Sequence, residues 1–361
     1  MDISIIIVNW NSRDYLRKCL DSVPAGIKGL EFEIVVIDSA SFDGCAQMLR
    51  KHYPEVRFIQ SDRNLGFARA NNAAFLASTG NCVLFLNPDT ELRGLAINLM
   101  REQLLALPDA GVVGCKLLNS DGTVQTSCIK SFPTLLNQFL DAELLRKLFP
   151  RSRLWGMSAL LDNSDASAEV EVVSGACMML RRLDFERIGM FTTDYFMYSE
   201  DVDLCLKSRK AGLKNYCVLS AVVVHHGGGS SAGAKHAPPN RGNGQLTSDA
   251  EESRTADRGS GVVNHALRNT AHASRNTVSH FSSVMMLESR WRFFLRNRAA
   301  WYGWSYRAGM CGVSLFRIAL TVLSWPYGIF TCDCARWRHA AGKWFAGLRW
   351  ALGLERWVRN Y

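Results

Sequence analysis

Short apolar runs alternate with amphipathic stretches through the first third of the chain. SIIIVNWN, EIVVIDSAS, VRFIQ and NCVLFLN are brief and contain β-branched residues, which is typical of buried parallel strands. Polar stretches with apolar residues at helical spacing separate them, including an Ala-rich stretch that begins at a Gly66 turn. This order predicts an α/β fold of β-α-β units, in which helices flank both faces of a mostly parallel sheet.

Polar residues stand at the ends of three of these strands. Asn9, Asp38 and Asp89 each follow the carboxyl end of an apolar run. One such residue alone could be a turn residue or a helix cap. Ligands of parallel sheets bind beyond the carboxyl ends of the strands, so the three residues together predict one shared crevice.

The pattern changes from Ala110 onward. GVVGCKLLNSDGTVQ predicts a strand and a hairpin through Asp121 and Gly122, which would give the sheet a mixed edge. VEVVSGACMMLRR and CVLSAVVVHH predict two more strands, and YSEDVDLCLKSRKAG predicts a helix closed by Gly212. The sequence after Gly227 is rich in Gly, Ser, Asn and Arg, a composition typical of a flexible segment.

These patterns divide the chain into three predicted parts. Residues 1–231 form an α/β domain with halves at 1–109 and 110–231, residues 232–283 are a low-complexity and flexible segment, and residues 284–361 are a basic amphipathic helical tail.

The positive charge of the chain lies in that tail. The net charge is +9, and residues 281–361 contain 12 Lys and Arg, 3 Asp and Glu, and 8 of the 10 tryptophans. Arginine interleaved with tryptophan is typical of a bilayer interface. The stretch from Met310 to Phe330 approaches the ~20 residues that span a bilayer. Arg317 within it and Pro326 near its end favour a helix that lies on an anionic membrane, while a spanning helix and an ordinary packed helix remain alternatives.

Cysteine usage indicates the compartment. The eleven cysteines are an odd number without a CxxC pair, and the N-terminus lacks a basic stretch followed by an apolar one. We therefore expect a cytoplasmic protein with reduced thiols, most of them small core residues.

Two groups of polar residues are candidates for catalysis. Glu200, Asp201 and Asp203 lie in the first turn of a predicted helix, where acids also favour the helix dipole. Their apolar surroundings would perturb the pKa of a buried carboxylate, which could then take a proton from an alcohol. Asp89 and His225 could hold Mg²⁺ or Mn²⁺ against a diphosphate, although a single histidine is often structural.

Taken together, these motifs resemble the family 2 glycosyltransferases with the GT-A fold, in particular the bacterial rhamnosyltransferase-like branch that builds surface polysaccharides. The motifs that carry the resemblance span residues 3–231 and are, in order, IIIVNWNS, VVIDSASFDG, NLGFARANN, FLNPDT, VSGACMMLRR, YFMYSEDVDLCLKSRKAG and VVVHHGGGSS. Their combination is specific, although no single motif is. The resemblance implies a nucleotide-sugar half at 1–109 and an acceptor half at 110–231.

For the donor, the resemblance implies that Asp38 binds the nucleotide base and that Asn9 lines its pocket. The other residues implied for nucleotide-sugar binding are Asn64, Gly66, Asn71, Asn87 and Asp89. NPD is similar to the family's DxD-type motif with Asn87 in place of the first acid, which leaves Asp89 as a metal ligand. His225 would complete a Mg²⁺ or Mn²⁺ site.

For the acceptor, the resemblance implies that Asp201 is the catalytic base and that Glu200 supports it or positions the acceptor. The reaction would be one inverting displacement. The donor would be dTDP-L-rhamnose or a UDP-sugar, and the acceptor a polysaccharide or a lipid-linked glycan. The enzyme would act as a peripheral protein at the inner face of the cell membrane.

The chain departs from the family pattern at several positions. Ser39 and Phe42 replace the usual Asn and Thr near the base-binding aspartate, and Thr192 and Thr193 stand where an acidic pair is common. The long polar segment after residue 231 is the largest departure, and it affects the acceptor more than the donor.

Other functions fit the sequence less well. A nicotinamide dehydrogenase would carry G-x-G-x-x-G after the first strand, and this chain does not. A nucleic-acid-binding protein could use the basic tail, but the tail has no recognition motif, so we expect no nucleic-acid partner. An inactive scaffold is disfavoured because Asp38, Asp89, Asp201 and His225 are all present.

Overall fold

The computed structural model describes residues 1–140, 143–161, 167–227, 280–323 and 334–361. Most of the predicted low-complexity segment, the glycine-rich end of HHGGGSS and the residues around Pro326 therefore lie outside the described residues.

The described strands and helices follow the predicted alternation. The strands are β1 (Ile3–Asn9), β2 (Phe32–Ser39), β3 (Arg57–Ser61), β4 (Cys82–Leu86), β5 (Thr90–Arg93), β6 (Ala110–Leu118), β7 (Ile129–Lys130), β8 (Ser167–Val170), β9 (Val172–Val173), β10 (Cys177–Arg181) and β11 (Lys214–His225). The α-helices are α1 (Arg13–Gly26), α2 (Cys45–His52), α3 (Gly66–Leu76), α4 (Ala96–Ala106), α5 (Leu135–Leu140), α6 (Glu143–Leu148), α7 (Arg182–Arg187), α8 (Glu200–Lys210), α9 (His280–Asn297), α10 (Ala300–Leu323) and α11 (Cys334–Ala351). Two 3₁₀ helices cover Ser158–Leu160 and Arg356–Asn360.

The central sheet has the strand order β3-β2-β1-β4-β10-β6-β11-β5, and β8 pairs with β11. Strands β1 to β4 are parallel to one another, and β10 runs antiparallel to both of its neighbours, so the sheet is mixed as predicted. The register places Asn9 opposite Asp38 and His225 opposite Thr90. Asn9 and Asp38 are thereby brought together at the ends of adjacent strands, and His225 lies opposite the residue that follows Asp89.

Short strands account for the main differences from the predicted elements. The single strand predicted over VEVVSGACMMLRR is three strands, β8, β9 and β10, because the chain bends at Glu171 and turns at Gly175 and Ala176. The hairpin predicted through Asp121 and Gly122 is reduced to one bridge between Leu118 and Val124. Strands β5 and β7 were not predicted, since four and two residues are too few to show a period.

Alternate residues of β1 enter the two cores of the protein. Ile5 lies in the core that α1, α2 and α4 cover, whereas Ile6 lies in the core covered by α3, α7 and α8. The C-terminal helices also reach this second core, through Phe293 of α9, Tyr306 of α10 and Trp350 of α11. The tail therefore shares a hydrophobic core with the sheet.

Helix α10 carries residues 310–323 of the apolar stretch predicted at 310–330, and the rest of that stretch lies outside the described residues. Helix α9 begins at His280, slightly before the predicted start of the tail at residue 284. Within the described ranges, α10 is the one helix long and apolar enough to cross a membrane, with a mean hydropathy of 1.2 and 22% of its apolar window buried. Phe316 and Val322 are 62% and 64% exposed. The Arg317 guanidinium lies 5.5 Å from the centre of the Trp344 ring, against α11.

Candidate active site

Asn9 and Asp38 meet at the carboxyl ends of β1 and β2. The Asn9 side chain donates to Asp38 at 2.7 Å and to the Ser41 hydroxyl at 3.0 Å, and both Asn9 and Asp38 are fully buried. Asp38 also accepts a hydrogen bond from Gln60 at 2.8 Å and one from the Ser41 hydroxyl. Burial raises the pKa of Asp38, but these hydrogen bonds outweigh burial and hold the pKa below its ordinary value. Asp38 is therefore an ionised acceptor.

The NLG segment packs against this strand end. The carbonyl oxygen of the Asn64 side chain accepts hydrogen bonds from the Ser39 hydroxyl and from the Gly66 amide, at 3.1 and 2.9 Å. Ser39, which departs from the family pattern, thus joins the end of β2 to the NLG segment, residues 64–66. Asn71 is buried, and its side-chain nitrogen donates at 3.0 Å to the Phe67 carbonyl within the same helix.

Gly66 permits close packing between the start of α3 and the segment that precedes α8. Its φ is +70°, and a Cβ atom there would lie 2.3 Å from the backbone oxygen of Phe196. The Phe67 amide donates to the same oxygen at 2.8 Å. A side chain at residue 66 would therefore push away the segment that leads into Glu200 and Asp201.

The NPD turn and the end of β11 bring Asp89 and His225 together. The Nε2 atom of His225 lies 3.3 Å from Oδ1 of Asp89, and Nδ1 of His225 lies 2.8 Å from the side-chain oxygen of Gln125. Asp89 is 2% exposed. Asn87 shapes the turn through its backbone, because its amide donates to the Ala176 carbonyl and its carbonyl accepts from the Thr90 hydroxyl.

The chemistry of the Asp89 and His225 donors fits a divalent cation. A carboxylate oxygen and an imidazole nitrogen already face each other, and Gln125 holds the other ring nitrogen, as outer partners of metal-binding histidines commonly do. Together they offer one oxygen and one nitrogen ligand to an ion such as Mn²⁺.

A second group of candidate metal ligands fits such an ion less well. Asp38, Asp43 and Cys45 place their ligand atoms within 4.8 Å of one another. Burial, followed by the charges of Asp38 and Asp43, raises the pKa of the Cys45 thiol, so the sulfur stays protonated. Both carboxylates already accept hydrogen bonds, from Asn9 and from the backbone amide of Arg13 among others.

Glu200 and Asp201 lie at the start of α8 in a strained and buried turn. Tyr198 and Ser199, which precede them, have φ values of +69° and +67°, which are uncommon for residues other than glycine. Glu200 and Asp201 are each 7% exposed. Backbone strain of this kind collects at functional sites, where surrounding contacts hold it.

Opposite pKa shifts distinguish the two acids. Burial and then the charge of Asp201 raise the pKa of Glu200 well above its ordinary range. Burial also acts on Asp201, but the charge of Lys130 and amide hydrogen bonds from Val202 and Gly175 hold its pKa below the ordinary value. Asp201 is therefore the ionised member of the pair, and Glu200 the protonated one.

Lys130 is a site residue that the sequence did not reveal. Its Nζ lies 3.3 Å from Oδ2 of Asp201. It belongs to the two-residue strand β7, which pairs with β9, so the local pattern gives no signal for it. The local pattern also gives no signal for Gln125, the partner of His225.

The turn between β9 and β10 connects the predicted donor and acceptor residues. The Gly175 amide donates to Asp201 at 3.3 Å, and the Ala176 carbonyl accepts from the Asn87 amide at 2.9 Å. Asp201 and the NPD turn are thus both attached to one short stretch of backbone. The structure brings the predicted donor and acceptor residues to one edge of the sheet.

Known proteins share this architecture. A chain titled mannosyltransferase PcManGT from Pyrobaculum calidifontis, in complex with GDP-Man and Mn²⁺, is similar over 98% of this chain and 87% of that one, with a TM-score of 0.51 and 15% sequence identity. This likeness concerns the fold alone, and it agrees with the predicted GT-A architecture.

Curated relatives match about three fifths of the chain. The N-acetylglucosaminyl-diphospho-decaprenol L-rhamnosyltransferase of Mycobacterium tuberculosis is 29% identical over 237 residues, 62% of this chain and 76% of the relative. The rhamnosyltransferase WbbL of Escherichia coli is 24% identical over 234 residues, 62% of this chain and 83% of the relative. The family model described as glycosyl transferase family 2 matches residues 4–189, more than half of the sequence, and the chain belongs to that family.

Proposed function

We propose that the protein is an inverting, metal-dependent glycosyltransferase that moves a sugar from a nucleotide-sugar to a polysaccharide or lipid-linked glycan. L-rhamnose from dTDP-L-rhamnose is the first donor to test, and a UDP-sugar the second. The names of the M. tuberculosis and E. coli relatives support this choice, since both are rhamnosyltransferases and the first has a lipid-diphosphate-linked acceptor in its name.

One observation carries the proposal: an ionised, buried Asp201 is attached through Gly175 and Ala176 to the NPD turn that holds Asp89. A base and a diphosphate site must lie on either side of the anomeric carbon for a direct displacement. Because Gly175 hydrogen-bonds to Asp201 and Ala176 hydrogen-bonds to the NPD turn, the distance between the Asp201 carboxylate and the NPD turn is fixed by one short stretch of backbone.

In the proposed reaction, Asp201 takes the proton of the acceptor hydroxyl. The acceptor oxygen forms a bond to the anomeric carbon while the bond from that carbon to the diphosphate oxygen breaks, and the nucleoside diphosphate leaves with the electron pair. Lys130 keeps Asp201 ionised before the transfer. Glu200, which burial keeps protonated, can donate a hydrogen bond that orients the acceptor.

Asp89 and His225 would hold the metal ion. When bound, Mg²⁺ or Mn²⁺ stabilises the negative charge of the departing diphosphate. Asp38 accepts hydrogen bonds and would pair with donor groups of the nucleotide base, beside Asn9. The sugar would be bordered by Asn64, Gly66 and Asn71. Their segment is held to the end of β2 by the hydrogen bond from Ser39 to Asn64.

We also propose that α10 docks the enzyme on the anionic inner face of the cell membrane. The exposed residues Leu315, Phe316, Leu320, Val322 and Leu323 give the end of this helix an apolar surface. The net positive charge of residues 281–361 complements anionic lipids. A lipid-linked acceptor would then be presented at the surface where the enzyme lies.

The transfer is tested with a panel of nucleotide-sugars and a readout of released nucleoside diphosphate, with and without Mn²⁺. We expect metal-dependent release from at least one donor in the presence of a glycan acceptor, and loss of release in Asp201→Asn. Glu186→Gln in α7, which alters an exposed acid that pairs with Arg182, is the matched control and should leave release unchanged. No release from any donor would contradict the proposal.

Membrane docking is tested by sedimentation with phosphatidylglycerol-containing vesicles. Phe316→Ser should weaken binding about tenfold, because the variant lacks an aromatic side chain that would be buried in the bilayer. Leu183→Ser, at a residue 76% exposed on α7, is the control. Equal binding by the two variants, or retention on DNA without retention on vesicles, would contradict docking through α10.

A further inference from the structure

Helix α9 makes polar contacts with the irregular segment that leads into the catalytic pair. The Ser289 hydroxyl donates to the backbone oxygen of Met197 at 2.7 Å, and the Arg292 guanidinium donates to the backbone oxygen of Asp194 at 2.7 Å. Ser289 is 1% exposed, so its hydrogen bond is shielded from water. These bonds satisfy two carbonyl groups of a segment that precedes the first turn of α8.

A third contact joins α9 to the first turn of α8 itself. The Asn297 side chain donates at 2.8 Å to Asp203, which also accepts from the Thr192 hydroxyl at 2.6 Å. Asp203 is 1% exposed and lies two residues beyond Asp201. Asp203, the third acid of the YSEDVDL motif, therefore has a structural partner on α9. Thr192 also has a structural role, because its hydroxyl holds the other oxygen of Asp203.

The segment needs such support because of its backbone conformation. The consecutive positive φ values at Tyr198 and Ser199 are unfavourable for residues other than glycine and persist only where surrounding contacts hold them. On one side, the Phe196 carbonyl is held by the Phe67 amide of α3. On the other side, Ser289 holds the neighbouring Met197 carbonyl. The segment is thus fixed between a helix of the donor half and a helix of the tail.

Aromatic packing at the very end of the chain reinforces the same contact. The Phe196 ring lies 4.6 Å from the ring of Tyr361 and 6.2 Å from that of Phe281, measured between ring centres. Phe281 stacks on Trp357 at 5.3 Å. The first turn of α9 and the C-terminal residue therefore close over the segment together.

We propose that helix α9 is a positioning element of the transferase site, in which Ser289, Arg292 and Asn297 hold residues 194–203 in the conformation that aims Glu200 and Asp201 at the acceptor. The inference rests on the proposed function for its catalytic consequence. It assigns a role in transfer to residues on the far side of the 228–279 stretch, beyond the matched region 4–189.

The test compares two buried serines of the C-terminal helices. Ser289→Ala removes the hydrogen bond to the segment, whereas Ser314→Ala, at a fully buried residue of α10 beside Gly347, is the matched control. The full-length protein is used for both. Hydrogen exchange of residues 194–203 is measured by mass spectrometry, together with kcat for transfer and the dissociation constant of the free nucleoside diphosphate with Mn²⁺.

In Ser289→Ala we expect faster exchange in residues 194–203, a kcat lowered about fivefold, as one lost hydrogen bond implies, and unchanged nucleoside diphosphate affinity. Ser314→Ala should match the wild-type protein in all three. Equal exchange in the two variants would overturn the inference, as would a Ser289→Ala protein with normal kcat. If the wild-type protein transferred no sugar, the proposed function would fail, while the exchange data would still decide whether α9 positions the segment.

Discussion

The donor and acceptor sides of the site are built in different ways. On the donor side, Asn9 and Asp38 follow neighbouring parallel strands, and the register of those strands alone places them in contact. On the acceptor side, Asp201 meets Lys130 across 71 residues of sequence. Parallel strands deliver their ends to one edge by geometry, whereas the acceptor side depends on tertiary contacts of short strands, a strained turn and a distant helix.

This difference has a consequence for mutations. In the proposed site, changes at the donor side would act on groups that contact the nucleotide or the metal directly. Changes at the acceptor side act through contacts that hold the Glu200 and Asp201 turn, so they alter kcat or its pH dependence and leave donor affinity unchanged.

The largest expected effect is that of Asp201→Asn. An amide cannot accept the acceptor proton, so kcat should fall about 10³-fold, within the range of general-base contributions. Because Asp201 lies on the acceptor side, calorimetry should show unchanged binding of the nucleoside diphosphate with Mn²⁺. A variant with near wild-type kcat would remove Asp201 from the role of base.

Asp89→Asn tests the donor side. We expect about 100-fold weaker binding of Mn²⁺ in the presence of nucleoside diphosphate, because a charged ligand is lost, as measured by electron paramagnetic resonance of the free ion. Asp43→Asn, in the Asp38, Asp43 and Cys45 group, is the matched control and should bind Mn²⁺ normally. The reverse result would move the metal to that second group.

Gly66→Ala tests the contact between the two sides. The new Cβ would meet the Phe196 carbonyl, and we expect a loss of about 2–3 kcal/mol in the free energy of unfolding, measured in urea. Gly29→Ala has a similar φ of +67° with nothing within 4 Å, so it should cost only about 1 kcal/mol for the backbone conformation. Equal losses in the two variants would show that the contact with Phe196 adds no constraint.

Lys130→Met tests the electrostatics of the acceptor side. The charged groups that act on the Glu200 and Asp201 pair are Lys130 of β7 and Arg290 of α9. Removing the Lys130 charge raises the pKa of Asp201, so more of it is protonated at a given pH, and the acid limb of kcat/KM should move to higher pH. Lys214→Met, which removes an exposed lysine that pairs with Asp109, is the control and should leave the profile in place. An unshifted acid limb in Lys130→Met would contradict the assignment.

The sequence predicted the fold, and it predicted which candidate site residues lie together, where long or repeated patterns were available. Strands β1 to β4 are examples, because buried strands have continuous apolar runs. The residues at the ends of these strands are identified by where each run stops. His225 was also predicted, and the structure places it beside Asp89.

The remaining features depend on contacts that no local pattern encodes. Lys130 and Gln125 lie in or near a two-residue strand, and the contacts of Ser289 with Met197 join residues 92 positions apart. The basic, tryptophan-rich tail was interpreted as a membrane surface, but that composition gave no indication that Phe293, Tyr306 and Trp350 enter the core beside the sheet.

The most direct measurement is a crystal structure of the protein with Mn²⁺ and a nucleoside diphosphate, with the ion located by anomalous scattering. We predict one manganese peak bound by Asp89 and His225, with the diphosphate on the ion and the Asp201 carboxylate facing the same cleft. A peak at Asp38, Asp43 and Cys45, or a diphosphate on a surface that Asp201 does not face, would contradict the proposed site.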